Sequence, residues 1–434
     1  MKDQLEIQQL IEHLFRHESG KMVSVLTGVF GSENLILAED IVQDTLIEAI
    51  KNWTYGGIPN NPTAWLYIVA KNKTLNAVKR EKYQKKYAFE LGHLPESPAI
   101  FELDTDQLFS EEGISDDQLR MMFMCCHPSI SKDSQIVLIL KTLCGFNIVE
   151  IAKAFFSSTD TINKRLVRAR KKIRQDKIAF EVPKKHELNN RLDAVLEAIY
   201  LLFNEGYSAS SGELLIRYEL CEEAIRLTQI MVNNPYVTHQ TNVYALLSLM
   251  QLNASRFKAR EDEAGNIFTL EEQNRSLWDF SLMEKGFKNL ELSSQQGEVS
   301  IYHILASISS YYCSAKDFRS TDWKSILELY DKLLLINNTP IIILNRAIIL
   351  SKVHTVETAI RELERIKNEK TMQSNYLFYA TKTELYIQLK NYAIARESLK
   401  KAIALAPLPT EKRMLQNRFK KYFDKKRNTN VPMT

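Results

Sequence analysis

Apolar residues recur at intervals of three and four along almost the whole chain, and few residues interrupt this pattern. The 434 residues include only 13 glycines and 11 prolines, too few for the many turns that a fold of short strands requires. Intervals of three and four place apolar side chains on one face of an α-helix. The sequence therefore predicts an all-α protein, and its length predicts more than one domain.

Composition narrows the class of protein further. Charged residues make up 25% of the chain, apolar residues 45%, and the net charge is +4, which is typical of a folded soluble protein. No run of about 18 uncharged apolar residues occurs, so we expect no membrane association. The start, MKDQLEIQQLIEHLF, has no apolar signal-peptide core. Five scattered cysteines indicate a reducing compartment, and we expect a cytoplasmic protein.

One short stretch concentrates positive charge. From Lys164 to Arg174 there are seven cations and no anion. The preceding NIVEIAKAFF (147–156) predicts a short amphipathic helix, and Ser158 is a suitable N-cap for the next one. Four apolar residues mark the buried face of that second helix: Ile162, Leu166, Ala169 and Ile173. A short helix, a turn and a basic helix predict a DNA-binding helix-turn-helix. The alternative is a solvated helix face that is merely basic.

Two further motifs precede this unit, AEDIVQDTLIEAIKNW (38–53) and PTAWLYIVAKNKTLNAVKR (62–80). With the helix-turn-helix they resemble the two conserved regions of sigma-70 family factors of the extracytoplasmic-function (ECF) type, over residues 5 to 178. Later stretches, including RLDAVLEAIYLLFNEGYSA (191–209), RSLWD (275–279) and TDWKSILELYDKL (321–333), resemble the ECF group with a long helical C-terminal extension. The resemblance implies a sigma factor that directs promoter-specific transcription initiation. Its partners would be promoter DNA and core RNA polymerase, bound through the β′ clamp helices and the β flap.

The predicted domains follow from the motifs and from shifts in composition. They are sigma region 2 (1–85), an acidic linker (86–114), the region 4 helix-turn-helix (115–180), a helical extension (187–299) and TPR-like repeats (300–425). In the family the linker passes through the RNA channel of the polymerase, where carboxylates can imitate a nucleic-acid backbone.

The resemblance also assigns candidate binding residues in each sigma region. For polymerase binding these are Glu39, Asp40, Gln43 and Asp44, on a helix whose inner face we predict to include Ile47. For the −10 element they are Tyr55, Lys71, Asn72, Lys73, Lys79 and Arg80. For the −35 element they are Thr161, Asn163, Lys164, Arg165, Val167 and Arg168. Asn72 lies where the family holds a flipped base, the lysines would contact phosphates, and Tyr55 would offer a stacking surface. Arginine, lysine and asparagine can read base edges in the major groove. Arg170, Lys171 and Arg174 are assigned to phosphate or solvent.

A 36-residue repeat is visible near the C-terminus. Leu327, Leu363 and Leu399 share one phase, and small or aromatic residues recur four positions earlier at Trp323, Ala359 and Ala395. The third copy fits the spacing of a tetratricopeptide (TPR) repeat, which would bind a protein or peptide partner. An irregular helical bundle is the alternative.

The sequence gives little support for a metal site or an enzyme active site. The adjacent Cys125-Cys126-His127 lacks the C-x₂₋₄-C spacing of a zinc site, so we predict packing, no metal and no cofactor. There is no glycine-rich phosphate loop and no nucleophile arrangement, so we do not expect an enzyme. The second hypothesis is a stand-alone helix-turn-helix regulator with a TPR-type ligand domain.

Overall fold

A computed structural model describes residues 2–90, 109–154, 157–208, 216–234, 237, 241–262, 265–295 and 298–424. Within them the chain forms α-helices and short turns but no β-strand, which confirms the all-α prediction. Most of the predicted acidic linker lies outside the described residues. None of the helices in the described ranges is long and apolar enough to span a bilayer.

The first eight helices belong to the N-terminal half of the chain. They are α1 Lys2–Phe30, α2 Leu35–Gly56, α3 Pro62–Glu90, α4 Glu111–Cys125, α5 Lys132–Thr142, α6 Ile148–Ala154, α7 Thr159–Gln175 and α8 Lys185–Tyr207, with a 3₁₀ turn at Ser32–Asn34.

Twelve helices follow. They are α9 Tyr218–Asn233, α10 Thr241–Ala254, α11 Phe257–Arg260, α12 Phe280–Ser293, α13 Ile301–Ser314, α14 Trp323–Ile336, α15 Pro340–Val353, α16 Val356–Ile366, α17 Lys370–Gln373, α18 Tyr376–Gln388, α19 Tyr392–Leu405 and α20 Pro409–Phe419, with a 3₁₀ turn at Arg275–Leu277 and a π turn at Lys420–Asp424.

The chain divides into two compact units, residues 1–202 with 233–238, and residues 203–232 with 239–434. In the first unit, α1 packs against α2, α3, α4 and α5. Trp53 is buried at the end of α2, 5.4 Å from the ring of Trp65 on α3. Leu66, the residue that follows Trp65, is fully buried, so this part of α3 belongs to a packed core.

The second unit contains successive helix pairs. α14 packs on α15, α15 on α16, and α18 on α19. The repeated leucines fall on α14, α16 and α19 and are all buried, and Ala359 and Ala395 are completely buried beside them. Small side chains at these positions let the helices approach closely. The helical periodicity of the repeat was therefore read correctly, while its assignment to the TPR class stays a prediction.

Candidate nucleic-acid and polymerase interface

Helix α7 presents a polar, basic face to solvent. Ser158 caps it, accepting a hydrogen bond from the backbone N–H of Thr161, as the sequence predicted. Its four predicted apolar residues are buried, and that packing orients the rest of the helix. Asn163, Lys164 and Arg168 are exposed, and Val167 is 62% exposed. A valine with so much free surface suits apolar contact with a thymine methyl group.

Four of the basic residues on α7 pair with carboxylates of the protein itself. Lys164 pairs with Asp160 and Lys172 with Asp176, close by in sequence, whereas Arg165 and Arg170 pair with other helices. Arg165 lies 2.8 Å from Asp133 at the start of α5, and Arg170 lies 2.9 Å from Glu39 on α2. Arg165, Arg168 and Lys172 also line a cleft of about 390 Å³ beside Ser131 and Ser134. The prediction that Arg170 faces phosphate or solvent is therefore wrong for this arrangement of the chain, because its side chain is mostly buried and its guanidinium is held in an ion pair.

The predicted polymerase-binding helix, α2, has an exposed stripe of mixed character. Asp40, Gln43 and Asp44 are exposed. At 100° per residue, Ile36, Asp40, Gln43, Ile47 and Ile50 fall on one face, and all three isoleucines are more than 40% exposed. The placement of Ile47 on the inner face is therefore wrong.

Glu39 differs from its neighbours on α2. Its side chain is 18% exposed, and burial raises the pKa of its carboxyl while the adjacent Arg170 and nearby Lys141 lower it. An ionised carboxylate here depends on those two cations for stabilisation.

The predicted −10 residues lie along α3 and at the end of α2. Tyr55 is 92% exposed. Asn72, Lys79 and Arg80 are exposed, and Asn72 and Lys79 share a stripe with the exposed Ile68. Lys73 instead forms an ion pair of 2.8 Å with Glu48 of α2.

Sequence reasoning did not single out Ile68 or Asn76, which lie on the same exposed side of α3. An exposed isoleucine among polar residues of a helix face was the available signal, since such residues mark contact surfaces when they cluster.

The adjacent cysteines are packing residues. Cys125 and Cys126 are buried, and burial raises the pKa of the Cys125 thiol to about 12 and that of Cys126 in the same direction. Both thiols are therefore neutral near pH 7 in this environment, as is usual for buried cysteines that pack in a core.

The C-terminal unit contains an arginine cluster that sequence reasoning missed. Arg256 is buried and donates to the hydroxyl of Tyr207 and to Asn253, beneath the ring of Tyr312. Arg260 stacks 3.7 Å over the ring of Tyr207 and donates to its carbonyl oxygen. Cation–π contacts with the aromatic rings and hydrogen bonds to oxygen atoms stabilise these charges, and the cluster thereby holds together the helices around α10 and α11. An apolar groove of about 730 Å³ lies elsewhere in this unit, between α12, α13 and α14.

Comparison with known proteins identifies the class of domain that the N-terminal helices form. Residues 14–83 match the model of sigma-70 region 2, and residues 191–294 match a family of unknown function, DUF6596. The first match covers most of α1, α2 and α3, and the exposed stripes lie on α2 and α3. The N-terminal helices therefore form a sigma-70 region 2 domain, the class of domain that binds core RNA polymerase and promoter DNA.

The whole chain has a relative of similar length. An uncharacterised protein of Rhizobium meliloti (strain 1021) is 31% identical over 383 residues, which cover 87% of this chain and 88% of that protein. The chain belongs to the same family as this protein. No solved structure matches the chain.

Proposed function

We propose that the protein is a sigma factor of the ECF type, which binds core RNA polymerase and directs promoter-specific transcription initiation. The observation that carries the proposal is the combination of a sigma-70 region 2 domain with a separate exposed basic helix, α7, in one chain. A sigma factor needs both, because one module must bind and open the −10 element while the other binds the −35 element.

The exposed stripe of α2 supports polymerase docking. Isoleucines at 41% to 52% exposure stand among Asp40, Gln43 and Asp44, and a mixed apolar and acidic surface is suited to a basic amphipathic partner. Apolar area would supply affinity, whereas the carboxylates would set register and association rate. The partner on core polymerase is the pair of β′ clamp helices, and the β flap would bind the helix-turn-helix module.

The exposed face of α7 supports −35 recognition. Asn163, Lys164, Val167 and Arg168 would approach base edges, since Asn suits adenine, Arg and Lys suit guanine, and Val suits thymine. Thr161 and Arg165 flank them. Lys171 and Arg174, both exposed, would contact phosphates and contribute most of the salt dependence.

The exposed polar stripe of α3 supports −10 recognition. Asn72 has donors and an acceptor for the edge of a base extruded from the duplex. Lys71, Lys79 and Arg80 would follow the strand, Lys73 would join them once released from Glu48, and Tyr55 offers an uncovered ring for stacking. No part of this scheme requires an enzyme active site, a metal or a cofactor.

The C-terminal helix pairs would regulate the sigma modules in cis or bind a protein or peptide partner through a TPR-like surface. Three exposed apolar residues, Ile341 and Ile348 on α15 and Leu377 on α18, provide contact area for such a segment. Deletion of residues 208–434, which leaves α8 whole, tests the regulatory role, and unchanged promoter-specific activity would exclude it.

Transcription with purified core polymerase tests the main proposal. The full chain should confer specific initiation on a promoter from its own genome, and Asn72→Ala should slow open-complex formation while polymerase binding is retained. Asn52→Ala is the matched control, because that exposed amide donates to the carbonyl oxygen of Glu48 within its own helix. Equal loss of polymerase binding and of melting in Asn72→Ala would contradict the base-pocket role.

A stand-alone helix-turn-helix regulator is the second candidate, and the basic face of α7 is the observation in its favour. Such a regulator would bind its operator without polymerase. Failure of the chain to co-purify with core polymerase, together with specific binding to duplex DNA, would favour it.

A further inference from the structure

The region 2 helices and the helix-turn-helix module pack directly against each other. A Cβ placed on Gly20 of α1 would lie 2.7 Å from the carbonyl carbon of Leu143, at the end of α5, and closer still to its oxygen. Glycine in a helix interior costs about 1 kcal/mol relative to alanine. The close approach of the Leu143 backbone explains why α1 has a glycine at position 20.

Three more contacts continue the same interface. A Cβ on Gly28 would lie 3.3 Å from both carboxylate oxygens of Asp117 on α4. The hydroxyl of Ser32 donates to the carbonyl oxygen of Ile178, beyond the end of α7. Finally, Glu39 of α2 pairs with Arg170 of α7 at 2.9 Å, with both side chains mostly buried.

We infer that this packing is a closed, self-inhibited state of the sigma modules, latched by Glu39 and Arg170 and by the fit of α5 against Gly20. The inference rests on the proposed function, because it concerns how region 2 and the helix-turn-helix reach their promoter elements.

The distance between the two promoter elements explains why the closed state would be inhibited. Elements centred at −10 and −35 are about 25 base pairs apart, or about 85 Å along B-DNA. A compact unit of about 200 residues has a radius of gyration of about 17 Å and a diameter of about 45 Å. Two modules in contact within that unit cannot bind both elements at once.

The sequence between the modules is long enough to permit opening. Residues 91–110 separate α3 from α4, and twenty residues reach about 70 Å when fully extended. Together with the dimensions of the two modules, that reach spans the two elements. The DNA-facing side of α7 remains exposed in the closed state, so closure blocks simultaneous binding of the two elements and leaves each surface intact.

Two substitutions open the latch by independent means. Arg170→Gln removes the cation from Glu39, and Gly20→Ala introduces an overlap with the backbone of Leu143 without changing any charge. Lys172→Gln is the matched control for the first, because it removes a cation of the same helix whose ion pair, with Asp176, lies outside the interface. Retained helical circular dichroism and cooperative melting would establish that each variant is folded.

The experiment measures energy transfer between dyes at Asn52→Cys and Gln175→Cys in the full chain. Both positions are exposed, whereas all five native cysteines are buried. Transfer should be high in the free protein and in Lys172→Gln, lower in both latch variants, and lower in every protein once it is assembled with core polymerase on promoter DNA.

The rate of transcription initiation is measured in parallel, with this protein at limiting concentration. Loss of a mostly buried ion-pair partner shifts the closed–open equilibrium by about five- to thirty-fold, so both latch variants should initiate faster by a factor of that order. Equal transfer and equal initiation in all variants, with normal polymerase binding, would overturn the latch alone. If Gly20→Ala lowers the energy transfer but neither the wild type nor any variant binds core polymerase, the proposed function is overturned, and the role of the latch with it.

Discussion

The carboxyl of Asp117 should make the stability of the first unit depend on pH between about 4 and 6. Both of its oxygens face Gly28 on α1, and burial raises the pKa of Asp117 from 3.8 to about 6. Arg120, at 2.8 Å, lowers this pKa and Asp116 raises it further. The folded state therefore binds more protons than the unfolded state in this interval, so stability falls as pH rises through it.

Asp117→Asn removes this titration. The shift of about two pKa units corresponds to about 3 kcal/mol for a fully buried group, and partial solvent access reduces the expected effect to about 1–2 kcal/mol. The variant should therefore be more stable than the wild type at pH 7.5, and the difference should vanish near pH 4. In a unit of about 200 residues this corresponds to about 2–8 °C in Tm.

Differential scanning calorimetry of the two full-length proteins at half-unit pH steps is the assay, with the transition of the first unit followed. Asp116→Asn, a substitution of the adjacent acid on the same helix, is the control; it retains Asp117 and should therefore keep most of the pH dependence of the wild type. A Tm difference between Asp117→Asn and wild type that stays constant from pH 4 to 7.5 would refute the reasoning.

Three further outcomes are expected. Gly286→Ala should destabilise the C-terminal unit by about 1–3 kcal/mol, seen as a lower Tm, because a Cβ there would lie 2.7 Å from the buried Leu252; an unchanged Tm would contradict this. Gln118→Met should raise the Tm of the first unit, since both polar atoms of the buried Gln118 amide lack a partner among the described residues; a fall of more than a degree would show that the amide is satisfied. Arg174→Ala should reduce the salt slope of promoter binding by about one, whereas Arg168→Ala should alter base preference; identical salt dependence and preference in both variants would argue against these separate roles.

Much of the fold follows from the sequence because helical periodicity reports local burial. The buried stripe of α7 and the N-cap at Ser158 were predictable from a few residues each, since both depend on contacts within one helix or with its nearest neighbours. The phase of the repeat in α14, α16 and α19 was predictable for the same reason.

Contacts between the modules could not be predicted in this way. Glu39 and Arg170 are 131 residues apart, and a periodic pattern shows which face of a helix is apolar without showing which distant helix covers its edge. Ile47 was misplaced because apolar character alone does not distinguish a core position from an exposed docking surface. One signal was available: Gly20 interrupts a strongly helical segment, and such a glycine often marks a close backbone approach.

The number of cations on α7 overstates the charge available to DNA. At 100° per residue, Arg165 and Arg170 lie about 70° to either side of the buried stripe, and each is paired with a carboxylate of another helix. The cations near the opposite face, including Lys164, Arg168 and Lys171, remain exposed. Opening of the latch would release Arg170 but leave Arg165 with Asp133, which lies on α5 within the same module. Promoter binding should therefore recruit one more cation than the closed state offers, and the salt slope of a latch-free variant such as Gly20→Ala should exceed that of the closed wild-type chain by about one.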